Sequence, residues 1–236
     1  LAVAAVALVL CNLLFASPVC AVVGGVPAAV GQVTFFLSVV VALPATSYLV
    51  GRRPLRELGL SLDRQWWRDT GFGLGLGVGL PTVLFLVEYV AGWVTVTDTF
   101  RTTARAFLSF GDASVPVALV GVFLFFLGVA VSEELLVRGY LLTNVAEALA
   151  GFERIGTRWA IVTATLLTSA LFGVLHASNP NATLLSVVNI TLFGILLGLG
   201  YVWTDRLGVS IGFHLTWNAV VGAVYGYPVS GITVGV

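Results

Sequence analysis

Residues 117–150 read VALVGVFLFFLGVAVSEELLVRGYLLTNVAEALA, a long apolar run with a cluster of charged residues in its middle. Lipid offers the backbone no hydrogen-bond partners. A chain therefore crosses the roughly 30 Å hydrocarbon core of a bilayer as a helix of about 20 apolar residues. The run is long enough to do so, and it predicts a transmembrane helix with ionisable side chains inside the membrane.

The composition of the whole chain points to the same class. Of its 236 residues, 58% are hydrophobic and 9% are charged, with a mean hydropathy of +1.05, whereas soluble domains carry about 25% charged residues. Eleven arginines balance eleven acidic residues, so no excess positive charge is left for nucleic acid. Cys11 and Cys20 both lie in the first apolar stretch, which supports neither a disulfide framework nor a thiolate metal site. We expect membrane lipid as a partner and no nucleic acid.

Six further apolar segments accompany this run, so the sequence predicts an all-α polytopic membrane protein of about seven transmembrane helices, within a range of six to eight. We expect one integral membrane domain over residues 1–236, because no segment is long or polar enough to form a separate soluble domain. The first segment has no basic residues before it and is expected to be a retained helix rather than a signal peptide. The predicted segments are 1–23, 26–50, 71–91, 116–145, 156–177, 182–203 and 208–227.

The placement of arginine predicts the orientation of the chain. Eight arginines fall on the side of the 51–70 loop and two on the other side, and the positive-inside rule then places this loop in the cytosol. Trp66 and Trp67 in the same loop predict a short helix at the membrane interface. The absence of lysine is typical of a GC-rich prokaryotic genome, so we expect a prokaryotic cell membrane. The eight are Arg52, Arg53, Arg56, Arg64, Arg68, Arg154, Arg158 and Arg206, and the two are Arg101 and Arg105.

Glycines alternate along residues 71–81, GFGLGLGVGLP. They lack the spacing of a dinucleotide-binding loop, because each occupies an odd position. On a helix they form rows of small residues four positions apart, which favour close packing against another helix. Similar pairs recur later in the chain. The rows are Gly71/Gly75/Gly79, Gly73/Gly77, Gly194/Gly198, Gly208/Gly212 and Gly222/Gly226.

Three ionisable residues interrupt the apolar run over residues 117–150. An Asp, Lys or Arg at the centre of a transmembrane helix costs at least about 2.5–3.5 kcal/mol on insertion scales, so such residues are informative. Glu134 and Arg138 are four positions apart and can pair on one face of the helix. Glu133 lies about 100° around the helix and has no such partner. Two adjacent carboxylates repel each other, which favours protonation of one of them and suits a proton acceptor.

Both histidines of the chain also lie in apolar segments. Phe172 precedes His176 by one helical turn and can form a wall against its ring, while Asn218 follows His214 by four positions on the same face. One buried histidine alone is most simply a satisfied core residue. Two glutamates, two histidines and an asparagine in one membrane domain indicate an active site.

Chain lengths between the predicted turns test whether these side chains meet. Glu133 lies 20 residues before a turn near Glu153, and His176 lies 23 residues after it, so both are expected at a similar depth. His214 follows a turn near Asp205 and is expected nearer the cytosolic side. At 1.5 Å per residue, straight upright helices would separate His214 from His176 by roughly 20 Å or more. A tilted or partly re-entrant segment would close that gap.

These residues form three short motifs, in this order on successive hydrophobic helices. The motifs are Glu133-Glu134-x-x-x-Arg138, Phe172-x-x-x-His176 and His214-x-x-x-Asn218. Together they resemble the CPBP family of intramembrane proteases, which includes the CAAX prenyl endopeptidases of the Rce1 type and the Abi or bacteriocin-immunity proteins. The resemblance covers about residues 115–225, the motif-bearing catalytic part. It implies an active site inside a bundle of about eight helices.

The resemblance also implies roles for the motif residues. Glu133 would be the general base that activates water, and His176 would help to hold that water. His214 and Asn218 would form the oxyanion hole, since an imidazole N–H and a carboxamide are hydrogen-bond donors of the required kind. The expected activity is an intramembrane endopeptidase of glutamate type without a cofactor. Its substrate would be a membrane-associated or prenylated CAAX-type polypeptide that enters from the bilayer or the cytosol.

Glu134 and Arg138 would then fix the helix and tune Glu133. Two other readings stay open at this point. Glu133, His176 and His214 are also residue types that bind zinc, which would make the protein a metal-dependent membrane protease, although no His-Glu-x-x-His motif is present. A carboxylate–histidine set also occurs in proton relays and in non-proteolytic binding or immunity proteins of the membrane.

Overall fold

The computed structural model describes residues 2–23, 27–99 and 114–234, and within these ranges the chain forms seven helices and no β-strand. The prediction of an all-α fold is therefore confirmed. Arg101, Arg105 and the side chain of Cys20 lie outside what the structure describes. The helices are α1 (Ala2–Val23), α2 (Pro27–Leu49), α3 (Arg64–Val90), α4 (Val115–Ala150), α5 (Thr157–Leu175), α6 (Leu184–Thr204) and α7 (Gly208–Val224).

Five of the described helices, α2 to α6, are long and apolar enough to cross a membrane. The helix α7 is apolar but shorter, and α1 is apolar over Ala2–Asn12. Many large hydrophobic side chains on these helices are exposed, as is expected of a surface that faces lipid rather than water. The chain is an integral membrane protein.

The helix α3 begins seven residues before the predicted start at residue 71, so the prediction of a separate interfacial helix was wrong. Asp63 caps α3, because its side chain accepts a hydrogen bond of 2.8 Å from the backbone N–H of Trp66. Trp66 is buried and donates from its indole nitrogen to the carbonyl of Gly59 at 3.0 Å. With a cap at Asp63 and no proline or break before residue 71, one helix runs from the loop into the bundle.

The packing of α3 against α7 uses one of the predicted glycine rows. A Cβ atom at Gly73 or Gly77 would collide with the backbone of α7 at Val209 and Phe213. The two helices therefore approach backbone to backbone, as small residues permit. The other row of α3, Gly71/Gly75/Gly79, has nothing within 4 Å and does not serve internal packing of the described residues.

The turn between α6 and α7 rests against the middle of α4, and not against its end. A Cβ atom at Gly139 would lie 2.7 Å from the carbonyl oxygen of Leu58 and 3.3 Å from Cδ1 of Leu207. The N–H of Leu207 donates to the carbonyl of Gly59 at 2.9 Å. Beyond Gly139, α4 continues for eleven residues to Ala150, which is about 17 Å of helix.

Ion pairs join the loops at one end of the bundle. Arg53 donates to both carboxylate oxygens of Glu147, near the end of α4, at 2.9 and 2.5 Å. Arg206 lies 3.8 Å from Asp69 and 4.0 Å from Asp63, at the start of α3. The 51–63 loop, the end of α4 and the turn before α7 therefore share one end, which we call the arginine-rich end.

Candidate functional site

A buried ion pair lies at the centre of α4. Glu134 and Arg138 are 0% and 1% exposed, and Nη1 of Arg138 donates to Oε1 of Glu134 at 2.9 Å. The predicted pairing is confirmed. Nη2 of Arg138 donates to the backbone carbonyl of Gly194 in α6 at 2.9 Å, so the guanidinium also ties α4 to α6. Here α4 widens into a π-helical segment, Leu135–Leu142, a local change that is frequent at functional sites.

His214 joins this ion pair from α7. Its Nδ1 lies 2.8 Å from Oε1 of Glu134, the same oxygen that accepts from Arg138. An ionised carboxylate only accepts, so Nδ1 of the imidazole carries the proton and donates it. The other ring nitrogen, Nε2, lies 3.8 Å from Oε2 of Glu133. Glu134 thus orients the ring of His214 toward Glu133.

The expected separation of His214 from the other site residues was therefore wrong. It assumed that the turns near Glu153 and Asp205 lie at one depth. The second turn packs beside Gly139, about 17 Å short of the end of α4. His214 is seven residues beyond Leu207 and Glu133 is six residues before Gly139, so the two reach the same level without a re-entrant segment.

Glu133 directs its Oε2 atom toward Nε2 of His214. Its side chain is 20% exposed, and among the described residues Oε2 is buried and has no hydrogen-bond partner. A buried polar atom in this state requires a physical explanation. A separation of 3.8 Å from Nε2 of His214 is too long for a direct hydrogen bond but short enough for one water molecule to bond to both atoms.

His176 ends α5 and packs on Phe172, as predicted. The two ring centroids are 4.6 Å apart, and Nδ1 of His176 lies 2.7 Å from the backbone carbonyl of Phe172. A carbonyl accepts, so Nδ1 is again the protonated nitrogen. The Phe172 ring also lies 6.1 Å from the ring of His214 and 4.6 Å from Cζ of Arg138. One aromatic ring therefore contacts both histidines and the buried guanidinium.

These side chains line a cavity of about 180 Å³, which we call the catalytic cavity. It contains His176, His214 and Asn218, and it reaches the surface at Asn189 and Pro228, which are both exposed. Glu133 is not among the lining residues and approaches the cavity through His214. The full lining comprises Phe172, His176, Asn189, Ile190, Phe193, His214, Trp217, Asn218, Val221, Pro228, Val229 and Ser230.

Sequence reasoning missed several of the lining residues. Asn189 was not predicted, although a polar residue in an apolar helix was a signal of function. Residues 228–230 return over the cavity after α7 and carry no periodic pattern. Gly231 adopts a positive φ of 81° and approaches the carbonyl of Pro180 so closely that a Cβ atom would collide with it. This contact holds the segment against the loop between α5 and α6.

Comparison with known protein families identifies the same part of the chain as the three motifs. Residues 115–220 match the family model described as type II CAAX prenyl endopeptidase Rce1-like. This part of the chain is similar to the Rce1-like family. No curated protein and no solved structure matches the chain. The Rce1-like region contains every residue of the three sequence motifs, and the family supports a protease as the general class.

The Rce1-like site was also tested for its fit to zinc. Within the described ranges, no three His, Cys, Asp or Glu side chains are grouped so as to hold a metal ion. Glu133 and His214 approach to 3.8 Å, close to the roughly 3.4 Å between two ligands that each lie about 2.0–2.2 Å from a tetrahedral zinc ion. Among the described residues, however, no third such side chain completes a site with this pair. The side chains as they stand would have to shift to bind zinc.

Proposed function

We propose that the protein is an intramembrane endopeptidase in which Glu133 activates a water molecule to hydrolyse a peptide bond. The observation that carries this proposal is the contact of His214 with both glutamates. Glu134 accepts from Nδ1 at 2.8 Å, and Nε2 then faces the unpartnered Oε2 of Glu133 at 3.8 Å beside a cavity. An unpartnered carboxylate oxygen can accept a proton from a water molecule that enters through the cavity, which is the role of a general base.

In the proposed reaction, Glu133 takes a proton from water as the oxygen attacks the carbonyl carbon of the substrate. The C–O bond forms while the carbonyl π electrons move to the oxygen, which becomes an oxyanion. Collapse of this intermediate breaks the C–N bond. The proton held by Glu133 passes to the leaving amine, so the carboxylate is restored. His176, on the same cavity, would help to hold the water.

Asn218 and His214 would stabilise the oxyanion. The carboxamide nitrogen of Asn218 has two N–H groups to donate. Nδ1–H of His214 is already engaged with Glu134, so Nε2 can donate only when the ring is doubly protonated. In that form His214 is a cation, and the charges of the two glutamates, Arg138 and His214 sum to zero. Such donors, fixed in a site with little water, are worth more than the same groups in solvent.

A membrane-associated or prenylated CAAX-type polypeptide would be the substrate, since the cavity lies within apolar helices and the Rce1-like family is described by that substrate class. The test is cleavage of a quenched fluorescent farnesylated peptide by the purified protein, beside the same peptide without the lipid. We expect faster cleavage of the farnesylated peptide. Equal rates on both peptides would remove the lipid from the proposal, and no cleavage of either would overturn the activity.

A zinc-dependent protease is the second candidate, because a carboxylate bonded to Nδ1 also orients histidines that bind metals through Nε2. Glu133, His176 and His214 would then hold the ion. The same assay with a strong chelator separates the two candidates. Activity that survives the chelator supports the cofactor-free mechanism, whereas loss with chelator and recovery with zinc would support the metal.

Orientation and substrate access are linked in this fold. The catalytic cavity lies at the end of α5, the start of α6 and the chain after α7, all directed away from the arginine-rich end. We propose that the arginine-rich end is cytosolic. The substrate then enters from the bilayer or the opposite face, rather than from the cytosol as the sequence had led us to expect. We expect a membrane-impermeant maleimide to label Ser230→Cys in intact cells, in a background with Cys11 and Cys20 replaced by serine. Arg52→Cys should react only after permeabilisation, and the reverse pattern would contradict this orientation.

A further inference from the structure

A second cavity, of about 170 Å³, lies between the last turns of α3 and the chain after α7. Four aromatic residues and one carboxylate surround it. Pro81, Leu84 and Val221 complete the wall. We call this cavity the aromatic cavity. Its aromatic and acidic members are Phe85, Trp217, Tyr225, Tyr227 and Glu88.

Hydrogen bonds and ring contacts fix the aromatic side chains in place. The rings of Phe85 and Tyr225 stack at 4.2 Å, and the hydroxyl of Tyr225 lies 2.9 Å from Oγ1 of Thr82. Tyr227 meets Phe85 edge-on at 6.5 Å and donates its hydroxyl hydrogen to Oε2 of Glu88 at 2.5 Å. That hydrogen bond raises the pKa of Tyr227 to about 12, so the phenol stays protonated at neutral pH.

The position of Glu88 makes the aromatic cavity electronegative. Glu88 lies in the last turn of α3, where the helix dipole contributes a partial negative charge. The faces of aromatic rings are also negative because of their quadrupole. A carboxylate, a helix C-terminus and four rings together favour a cation, and they disfavour an anion or a purely apolar group.

We propose that the aromatic cavity is a substrate subsite for a positively charged side chain, arginine or lysine, held by Glu88 and the surrounding rings. The subsite rests on the proposed function and adds a sequence preference to it. A cation over an aromatic face is attracted by the ring quadrupole, and more strongly when it is removed from water. The facing carboxylate adds a charge-assisted hydrogen bond.

The catalytic cavity and the aromatic cavity adjoin. A peptide is therefore the favoured source of the cation, because one extended chain can occupy both cavities. Trp217 and Val221 line both of them, so each forms part of the wall between the catalytic cavity and the aromatic cavity. An extended chain rises about 3.3 Å per residue, and side chains two positions apart lie on the same face. Gly77 packs beside Phe213, and Glu88 lies eleven residues further along α3, which is about 17 Å of helix. A long basic side chain about three positions from the cleaved bond would span this distance while the bond lies near His214.

The test uses farnesylated quenched peptides with arginine placed in turn at each of the three residues on either side of the cleaved bond. Each is paired with a peptide that carries citrulline there, which has nearly the same shape but no charge. We expect the wild type to prefer arginine about 10-fold in kcat/KM at one position. This preference should fall to near one in Glu88→Gln. Glu147→Gln, which neutralises an exposed glutamate at the other end of the bundle, should keep it.

Binding to Glu133→Gln protein, measured by fluorescence anisotropy, separates this subsite from the proposed activity. Cleavage without a preference for arginine at any position would overturn the subsite and leave the protease. Tighter binding of the arginine peptide without cleavage by the wild type would support the subsite and overturn the protease. If Glu88→Gln fails to fold in thermal unfolding, Phe85→Leu takes its place, because it removes one ring of the aromatic cavity. It should lower the preference for arginine, and an unchanged preference would overturn the subsite.

A lipid headgroup is the competing source of a cation, and dodecylphosphocholine is the probe for it. We add the detergent at concentrations that saturate its binding to the protein. We expect the preference for arginine over citrulline peptides in kcat/KM to stay unchanged. If it binds in a manner that depends on Glu88 while no arginine preference is seen, the aromatic cavity is a headgroup site and the peptide subsite is overturned.

Discussion

Replacing Glu133 with glutamine should lower kcat/KM for peptide cleavage by about 100- to 10,000-fold, the usual contribution of a general base. The carboxamide has nearly the shape of the carboxylate, but it cannot take a proton from water. Oε2 of Glu133 has no hydrogen-bond partner among the described residues, so the substitution removes little structural support. The measurement is the steady-state cleavage of a farnesylated quenched peptide by purified wild-type and variant protein.

The matched control for Glu133 is Glu147, another glutamate of α4. Its carboxylate is 51% exposed and pairs with Arg53 at the arginine-rich end, far from both cavities. Glu147→Gln should keep kcat/KM within about two-fold of the wild type, since surface ion pairs contribute little. If Glu133→Gln also retains that activity while its thermal unfolding is normal, Glu133 is not the base and the proposed mechanism fails.

Replacing Arg138 with methionine should destabilise the protein by about 3–5 kcal/mol, because it leaves a buried carboxylate without its cation. Glu134 is completely buried, and its Oε1 accepts from Arg138 and His214. The loss of Arg138 also removes its bond to the carbonyl of Gly194 and its contact with the ring of Phe172. Equilibrium unfolding in mixed micelles would measure the change in the free energy of unfolding.

The double variant Glu134→Gln/Arg138→Met tests whether the charge itself is the cause. Removing both charges should recover part of the lost stability, since no buried ion is then left alone. Arg53→Met is the control, because Arg53 forms an exposed pair with Glu147 and should cost less than about 1 kcal/mol. A double variant no more stable than Arg138→Met alone would assign the loss to packing and to the bond with Gly194.

The parts of the site that follow from local geometry were predictable from the sequence. The pairing of Glu134 with Arg138 and the packing of Phe172 on His176 depend on residues four positions apart on one helix. The helical repeat alone brings such residues together. The close approach at Gly73 follows from the same repeat, but the sequence did not show which glycine row faces α7.

The depth of His214 was not predictable, because it depends on where a turn packs against a distant helix. The sequence gives the number of residues between turns but not the level of each turn in the membrane. Gly139 has no side chain, so Leu207 and the carbonyl of Leu58 pack beside α4 at this point. The start of α7 therefore lies about 17 Å deeper in the bundle than the end of α4. The role of Glu134 in orienting His214 was missed for the same reason.

The aromatic cavity was also beyond the sequence pattern. Phe85 and Tyr225 are far apart along the chain, and each is an ordinary residue for the end of a transmembrane helix. The rings of Phe85 and Tyr225 stack on each other, and the hydrogen-bonded pair of Tyr227 and Glu88 lies nearby. Both contacts depend on the parallel packing of α3 and α7. Glu88 near the end of an apolar helix was the single signal that could have drawn attention to it.

The most direct test of the central claim is mass spectrometry of a farnesylated peptide after incubation with the protein in lipid vesicles. Wild type and Glu133→Gln would be compared at equal amounts of folded protein. We expect two fragments from the wild type whose masses sum to that of the peptide plus one water, and intact peptide from the variant. Fragments of equal yield from both proteins, or intact peptide from both, would contradict it.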